Sequence, residues 1–312
     1  MSQSIPHLSS QRCPLPESVF LSCPLIAMTS VIELKERNKA NRLALRKLEA
    51  HVTSLEKFSF HPANLQNAAI SIIPAPFECQ NGKPEFTPSF FAPYPSDLLM
   101  APKDGWVPFE FPKYDSERAQ RRHETPIDRA RQLCYYLEQS LSGYRSRCPE
   151  VQYPVFLISG WRYQDIGEYG FKKDLWEYGL QIGMEDSKCP PQWTVDAVYH
   201  YHDTKFPHLK SMMISDVDGD YEMLFRGELL ALIRMIRGRL ETKRFARYPV
   251  HPVLLFSMMG TQHARILQAH FNGTELVIHH SKFYDFRYED AVLLELFAQW
   301  FISSPVGETE PE

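Results

Sequence analysis

The residues best suited by type and spacing to do chemistry are a pair of imidazoles and a run of acids. His200-Tyr201-His202 falls in Thr194 to Asp203, which alternates like a strand, so both imidazoles should share one face, with Asp203 and His208 close in sequence. Histidines two apart on a strand can chelate zinc. The sequence supplies no dependable third ligand, however, and structural or solvated histidines are the simpler reading. Asp216, Asp218 and Asp220 suggest calcium, but Gly219 comes between the second and third acids and the bidentate glutamate of an EF-hand loop is wrongly spaced. An acidic turn that caps the following helix accounts for them more simply. The candidates are thus Glu228, Asp216 and Asp218 for catalysis and His200 and His202 for metal. No G-x-G-x-x-G, P-loop, G-x-S-x-G or H-E-x-x-H motif occurs, so no cofactor is expected.

The elements that must position these residues lie between Met212 and Pro305. Met212, Met213 and Ile214 form a short apolar strand that ends in the acidic turn. From Glu222 onward Met223, Leu224, Leu229, Leu230, Leu232, Ile233, Ile236 and Leu240 recur at helical spacing, and Arg226, Arg234, Arg237 and Arg239 fall largely between them. That pattern predicts an amphipathic helix with a basic outer face. Pro252 to Met259 is an unbroken apolar run closed by Gly260, the signature of a central strand covered on both sides. Arg265 to Phe271 and Thr274 to His280 flank Asn272-Gly273, which predicts a two-residue type I′ hairpin with Phe271 opposite Thr274. Counting by two then puts Leu267, Ala269, Phe271, Leu276 and Ile278 on one face. The other carries Ile266, Gln268, His270, Glu275, Val277 and His279 and is expected to be the wetter, with His270 beside Glu275 as a solvated pair. Tyr288 to Ile302 forms a last helix, stopped by Ser303-Ser304-Pro305.

Three stretches of this block, Ser215-Asp216-Val217-Asp218-Gly219-Asp220-Tyr221, Phe225-Arg226-Gly227-Glu228-Leu229 and Ser257 to Gly273, resemble an uncharacterised family of filamentous-fungal proteins. The resemblance covers about the last third of the chain and implies a lineage without an activity. The order helix, strand, strand, strand, helix also resembles the core of restriction-endonuclease-like nucleases. Such enzymes need an acid on the second strand and Glu/Asp-x-Lys on the third, because clustered carboxylates hold the metal and the lysine assists the attacking water. Glu228 stands where that family often has an acid on its first helix. Arg265 to Phe271 has no acid, though, and Glu275-Leu276-Val277 has valine where the lysine belongs, so the resemblance implies a scaffold that has lost its chemistry.

With 312 residues, 44% of them hydrophobic and 13% aromatic, the chain can bury a substantial core in one or two domains. Its net charge of -4 sets up no global field toward nucleic acid or anionic membrane. Cys13, Cys23, Cys79, Cys134, Cys148 and Cys189 contain no C-x-x-C pair, which argues against a zinc ribbon or a disulfide framework and for a reducing, intracellular setting. Val19 to Met28 is apolar like a signal-peptide core, yet Cys23 and Pro24 interrupt it and only Arg12 precedes it. No run reaches transmembrane length.

In order, residues 1–29 read as a disordered lead, with Met28 offering an alternative start. Residues 30–57 read as a docking or coiled-coil helix capped by Ser30. Its heptad seam is Val31, Leu34, Asn38, Asn41, Leu45, Leu48, Val52 and Leu55, and the apolar members of that seam are the expected contact to a partner protein or a second copy. Asn41-Arg42-Leu43-Ala44-Leu45-Arg46-Lys47 resembles the basic region of fungal leucine-zipper transcription factors. Glu49 stands where the second phosphate-contacting arginine belongs, which weighs against nucleic acid. Residues 58–113 combine many prolines with Phe86, Phe90, Phe91, Tyr94, Trp106, Phe109 and Phe111, an extended segment expected to wrap the body and bury its rings. Residues 114–305 form the globular body. Its first part is a helix split near Thr125-Pro126, then a strand at Val155 to Ser159, then strands and loops over Trp161 to Gly183. Residues 306–312 read as a loose acidic tail.

The fold class expected is therefore α+β: a mixed sheet with flanking helices, an N-terminal single helix and a proline-rich wrap. The function expected is a non-catalytic interaction or accessory protein, cytoplasmic or nuclear, in a fungal specialised pathway. Two rivals are a metal-assisted hydrolase or nuclease-like enzyme, and a transcriptional regulator that uses the N-terminal basic helix.

Overall fold

The computed structural model describes residues 24–65, 68–78, 83–164, 192–218 and 223–309, with backbone alone for 24–32 and 118. The expectations for residues 1–23, for Gly219 to Glu222 (Asp220 among them), for 165–183 and for the tail end 310–312 fall outside those residues, as does the side chain of Val31. The N-terminal half contains α1 (Pro24–Ser54), β1 (Ser59–Phe60), β2 (Ile70–Pro74), β3 (Phe91–Ala92), β4 (Leu99–Met100), α2 (Ser116–Arg121), α3 (Pro126–Ser142), β5 (Arg145–Ser146), α4 (Val155–Ile158) and β6 (Trp161–Gln164). There follow β7 (Trp193–Tyr201), β8 (Leu209–Ser215), β9 (Leu224–Phe225), α5 (Arg226–Glu241), β10 (Val253–Met259), β11 (His263–Phe271), β12 (Leu276–His280), β13 (Tyr284–Asp285), α6 (Ala291–Phe301) and β14 (Ser304–Pro305).

These elements make an α+β fold around a mixed sheet in the order β2-β12-β11-β10-β8-β7-β6, with β13 added on β11. The apolar run of β10 sits in the middle, parallel to β8 and antiparallel to β11, and every one of its residues is buried. Parallel neighbours need a crossover, and α5 supplies it between β8 and β10. One face of the sheet packs on α5 through Val195, Val198, Met213, Leu255, Leu267 and Ile278. Alternation sends Ala197, Met212, Ile214, Phe256, Met258 and Ile266 to the other face, under α3 and α6. No helix among the described residues is long and apolar enough to cross a membrane.

The N-terminal helix starts earlier than its cap signal implies. Ser30 lies inside α1 rather than at its start, and residues 24–29 are helical. The seam of α1 is used within the chain: Asn38, Asn41, Leu45, Leu48 and Val52 are buried, Leu34 and Leu55 are half-buried, and the helix lies along α5. Glu49 binds Arg234 at 2.8 Å and also pairs with Arg237, while Arg46 meets Glu241 at 3.1 Å. The basic outer face expected of α5 is thus covered, and Arg234 and Arg239 are buried. Leu48→Glu should consequently cost about 2–4 kcal/mol through lost packing and a charge placed in an apolar contact, with no change in sedimented mass. A urea titration checks it; a halved mass at unchanged stability would show that the seam joins two chains instead.

Other expectations need correction. Val155 to Ser159 is a turn of helix, α4, because Pro154 opens it and four apolar residues are too few to show a period. The hairpin loop has four residues rather than two. Phe271 pairs with Leu276, and the Asn272 carboxamide oxygen accepts from the N–H groups of Thr274 and Glu275, each at 2.9 Å, while Gly273 takes φ +102°. The register moves by two residues, so the face assignment survives, but His270 faces Val277 instead of Glu275. Nor is its face wet: Gln268, His270 and His279 are buried.

What covers them is the proline-rich segment. The Gln268 side chain accepts from Phe90 N–H at 2.8 Å and donates to Pro88 O at 2.9 Å, His279 stacks on Phe86, and Trp300 Nε1 donates to Phe77 O at 2.9 Å. Of the rings expected to be buried, Phe90, Phe91 and Phe111 are, Phe86, Tyr94 and Phe109 are half-buried, and Trp106 is exposed. The segment also contributes the sheet strand β2, paired parallel to β12. Residues 306–309 are packed rather than loose: Val306 N–H donates to Phe90 O at 2.9 Å and Thr309 is buried.

Candidate functional site

Glu228, the acid nearest to a catalytic role, lies in the first turn of α5 and is 1% exposed. One oxygen accepts from the backbone N–H of Phe225 at 2.9 Å, which satisfies a donor that the helix itself leaves open. Both oxygens face Arg265 at the start of β11. Its Nε donates at 2.8 Å and its Nη2 to the second oxygen, and the third guanidinium nitrogen donates to Met223 O at 2.9 Å. The guanidinium, itself 1% exposed, is flanked by the rings of Phe225 at 5.1 Å and Phe283 at 4.6 Å. A fork-on-fork pair with its charges cancelled and its donors used holds the start of α5 to the sheet. Sequence reading missed Arg265 as a functional partner, although the alternation that put Leu267 and Ala269 on the α5 face puts Arg265 there as well.

Asp216 and Asp218 lie beyond the end of β8, where Val217 O accepts from Gly260 N–H at 3.1 Å. Burial, with the charge of Asp218 as a smaller cause, holds the Asp216 carboxyl above its ordinary range, although hydrogen bonds to backbone N–H groups pull it down. Its Oδ1 is buried without a partner among the described residues. These two acids act on one another, while Glu228 is engaged with Arg265. They do not complete the capping turn expected of them, since α5 takes its cap from Glu228.

His200 and His202 are separated in role. His202 follows the end of β7 and places Nδ1 3.1 Å from Gly160 O, with its ring 5.2 Å from that of Tyr201. His200 stays on β7, opposite Arg162 of β6 and Leu209 of β8, and its Nδ1 is buried without a partner among the described residues. Burial first, then the charges of Arg239, Arg244 and Arg162, push its imidazole down to about 4. Those neighbours repel a metal cation. His208, close in sequence, is buried between the rings of Phe90, Phe91 and Phe206 and meets Val306 O at 3.0 Å. Among the described residues no group of three or more His, Cys, Asp or Glu side chains is placed to hold a metal ion.

Two further basic side chains are buried: Lys210, which the sequence did not single out, and Arg239, expected on the outer face of α5. Lys210 donates to Phe301 O at 2.8 Å and Ser303 O at 2.9 Å, at the C-terminal end of α6, with its ammonium 3.9 Å from the Trp161 ring. Arg239 donates to Pro207 O at 3.1 Å and His208 O at 3.2 Å. Comparison with family models, curated proteins and solved structures finds nothing that matches this chain.

Proposed function

We propose that this chain is a non-catalytic interaction or accessory protein, acting in the cytoplasm or nucleus and belonging to a fungal specialised pathway. The observation that carries the reading is the use of Glu228: the one acid at a nuclease-like position is spent on Arg265 and on the start of α5. The fungal attribution rests on the resemblance of residues 215–221, 225–229 and 257–273. Support for an interaction role comes from Tyr153, Leu157, Ile158 and Tyr163, each more than half exposed; the Tyr163 ring meets that of Tyr199, which in turn meets Phe156. Grouped apolar side chains of this kind are costly to leave in water and mark contact surfaces. The transcription-regulator alternative has less support, because Asn41 and Leu45 of the basic stretch are buried and Arg46 is paired with Glu241.

The hydrolase alternative draws on Asp216 and Asp218, two acids beyond the end of β8, the first held above its ordinary range mainly by burial and less by the charge of the second. One experiment separates it from the leading reading. Incubated with plasmid or single-stranded DNA and magnesium or manganese, the wild-type protein should leave the substrate intact. Cleavage that disappears in Asp216→Asn/Asp218→Asn would replace the accessory reading with the enzymatic one.

A further inference from the structure

On the α5 face of the sheet, near its β6 edge, four basic side chains from separate elements gather without an acidic partner among the described residues. Arg162 on β6 stands directly across from His200 on β7. Arg239, in the last turn of α5, brings its guanidinium to 3.9 Å from the Phe245 ring, and Arg244 brings a second to 4.7 Å from the same ring. Burial first, then the charges of Arg239, Arg244 and Arg162, hold the His200 imidazole down. Among the described residues none of the three arginines is in an ion pair. Arg234 and Arg237, on the same helix, are both paired with Glu49.

The end of α5 explains part of this arrangement. A cation in the last turn is favoured by the carbonyl end of the helix, and Arg239 spends Nε and Nη2 on two carbonyls of the loop before β8. That leaves Nη1 of a fully buried arginine without a partner among the described residues, beside His200, whose buried Nδ1 is likewise unpartnered among them. Like charges brought together at partial burial cost free energy unless an anion joins them. The stacking of two guanidiniums on one ring fixes their planes and leaves their edges as donors.

We propose that Arg162, His200, Arg239 and Arg244 form a binding site for a phosphate group, either free inorganic phosphate or the phosphate of a small phosphomonoester. Phosphate fits this donor set better than a carboxylate does, because a tetrahedral dianion accepts from several guanidinium edges and an imidazole at once. A nucleic-acid backbone fits it less well, since tracking a strand needs an exposed row of cations. Here Arg239 is buried and its neighbours on α5 are already paired. The inference is independent of whether the chain has catalytic activity.

The test is calorimetric titration of the full chain with inorganic phosphate and, separately, with glycerol phosphate, together with histidine-selective NMR. Arg162 and Arg244 are exposed, so Arg162→Ala/Arg244→Ala should fold normally. The wild type should bind phosphate, and the double variant should bind at least tenfold more weakly. The His200 resonance should move on binding, and its titration should rise from about 4 toward the ordinary histidine value. Tighter binding of glycerol phosphate than of phosphate identifies an ester as the ligand; the reverse identifies the free ion. Wild-type binding that the double variant retains, or that leaves His200 unmoved, overturns the assignment. So does the absence of binding at about 10 mM phosphate, far above the range of a specific site. Duplex DNA bound at these residues and not displaced by phosphate would overturn it in favour of a nucleic-acid surface.

Discussion

Acidification from pH 7 to pH 4 should unfold this protein steeply, with a large part of the loss coming from three buried histidines. Burial holds His208 at about 3, with the charges of Arg239 and Lys210 adding to it. It holds His251 and His270 at about 4, with Arg239 beside the first and His279 beside the second. All three are neutral in the folded chain, while in the unfolded chain they titrate near 6.5. Between those values the unfolded state binds more protons, so stability rises with pH. The contribution is complete above about 6.5 and drains away as pH falls toward the folded values. At about 1.4 kcal/mol per unit, the three together withdraw on the order of 5–10 kcal/mol by pH 4, comparable with the whole stability of a domain. Glu138, Asp196 and Asp216, each raised by burial, work in the opposite sense at the acid end, since their protonated forms are the ones the folded chain accepts. They soften the last part of the loss without reversing it. Urea midpoints measured at half-unit steps from pH 7 to 4 give the slope, and His270→Gln should reduce it by about one proton. A flat profile between pH 6.5 and 5 would mean that these histidines are reached by water.

Glu228→Gln should cost about 3–5 kcal/mol, among the largest effects of any single substitution in the chain, because it leaves the Arg265 charge buried without its counter-charge. The guanidinium cannot swing out to solvent. It is held between Phe225 and Phe283 and its remaining nitrogen is bound to Met223 O. Denaturant midpoints measure the cost directly, and neither magnesium nor manganese should change it. A substitution that leaves stability intact, or a stability that depends on divalent metal, would return Glu228 to the list of catalytic candidates.

How much of this was legible in the sequence depends on how local the signal was. The strand β10 was readable because burial on both faces leaves seven residues with almost no polar atom, whatever the rest of the chain does. The hairpin faces were readable because alternation survives an even shift of register. Its loop was not, since Asn272 recruits two backbone N–H groups with its side chain and builds a longer turn from the same Asn-Gly signal. The arginines of α5 were misread as a solvated face because a helix does not announce what lies over it; Glu49, on a distant helix, decides the matter. The strand β2 was hidden in a proline-rich stretch, and its parallel partner β12 comes late in the chain. Of the candidate site, the acids and histidines were visible as residue types. The cluster around His200 was not, because topology alone brings β6, β7 and the end of α5 together.

The structural role of Glu228 is tested most directly by a double-mutant cycle with Arg265, measured as urea unfolding free energies of wild type, Glu228→Leu, Arg265→Met and the pair. Each single change strands one buried group, whereas the pair replaces an ion pair with apolar side chains of similar size. A coupling of at least about 2 kcal/mol is expected, with the double variant more stable than either single one. Two independent, additive losses, or a Glu228→Leu protein as stable as wild type, would contradict the assignment of this acid to the fold.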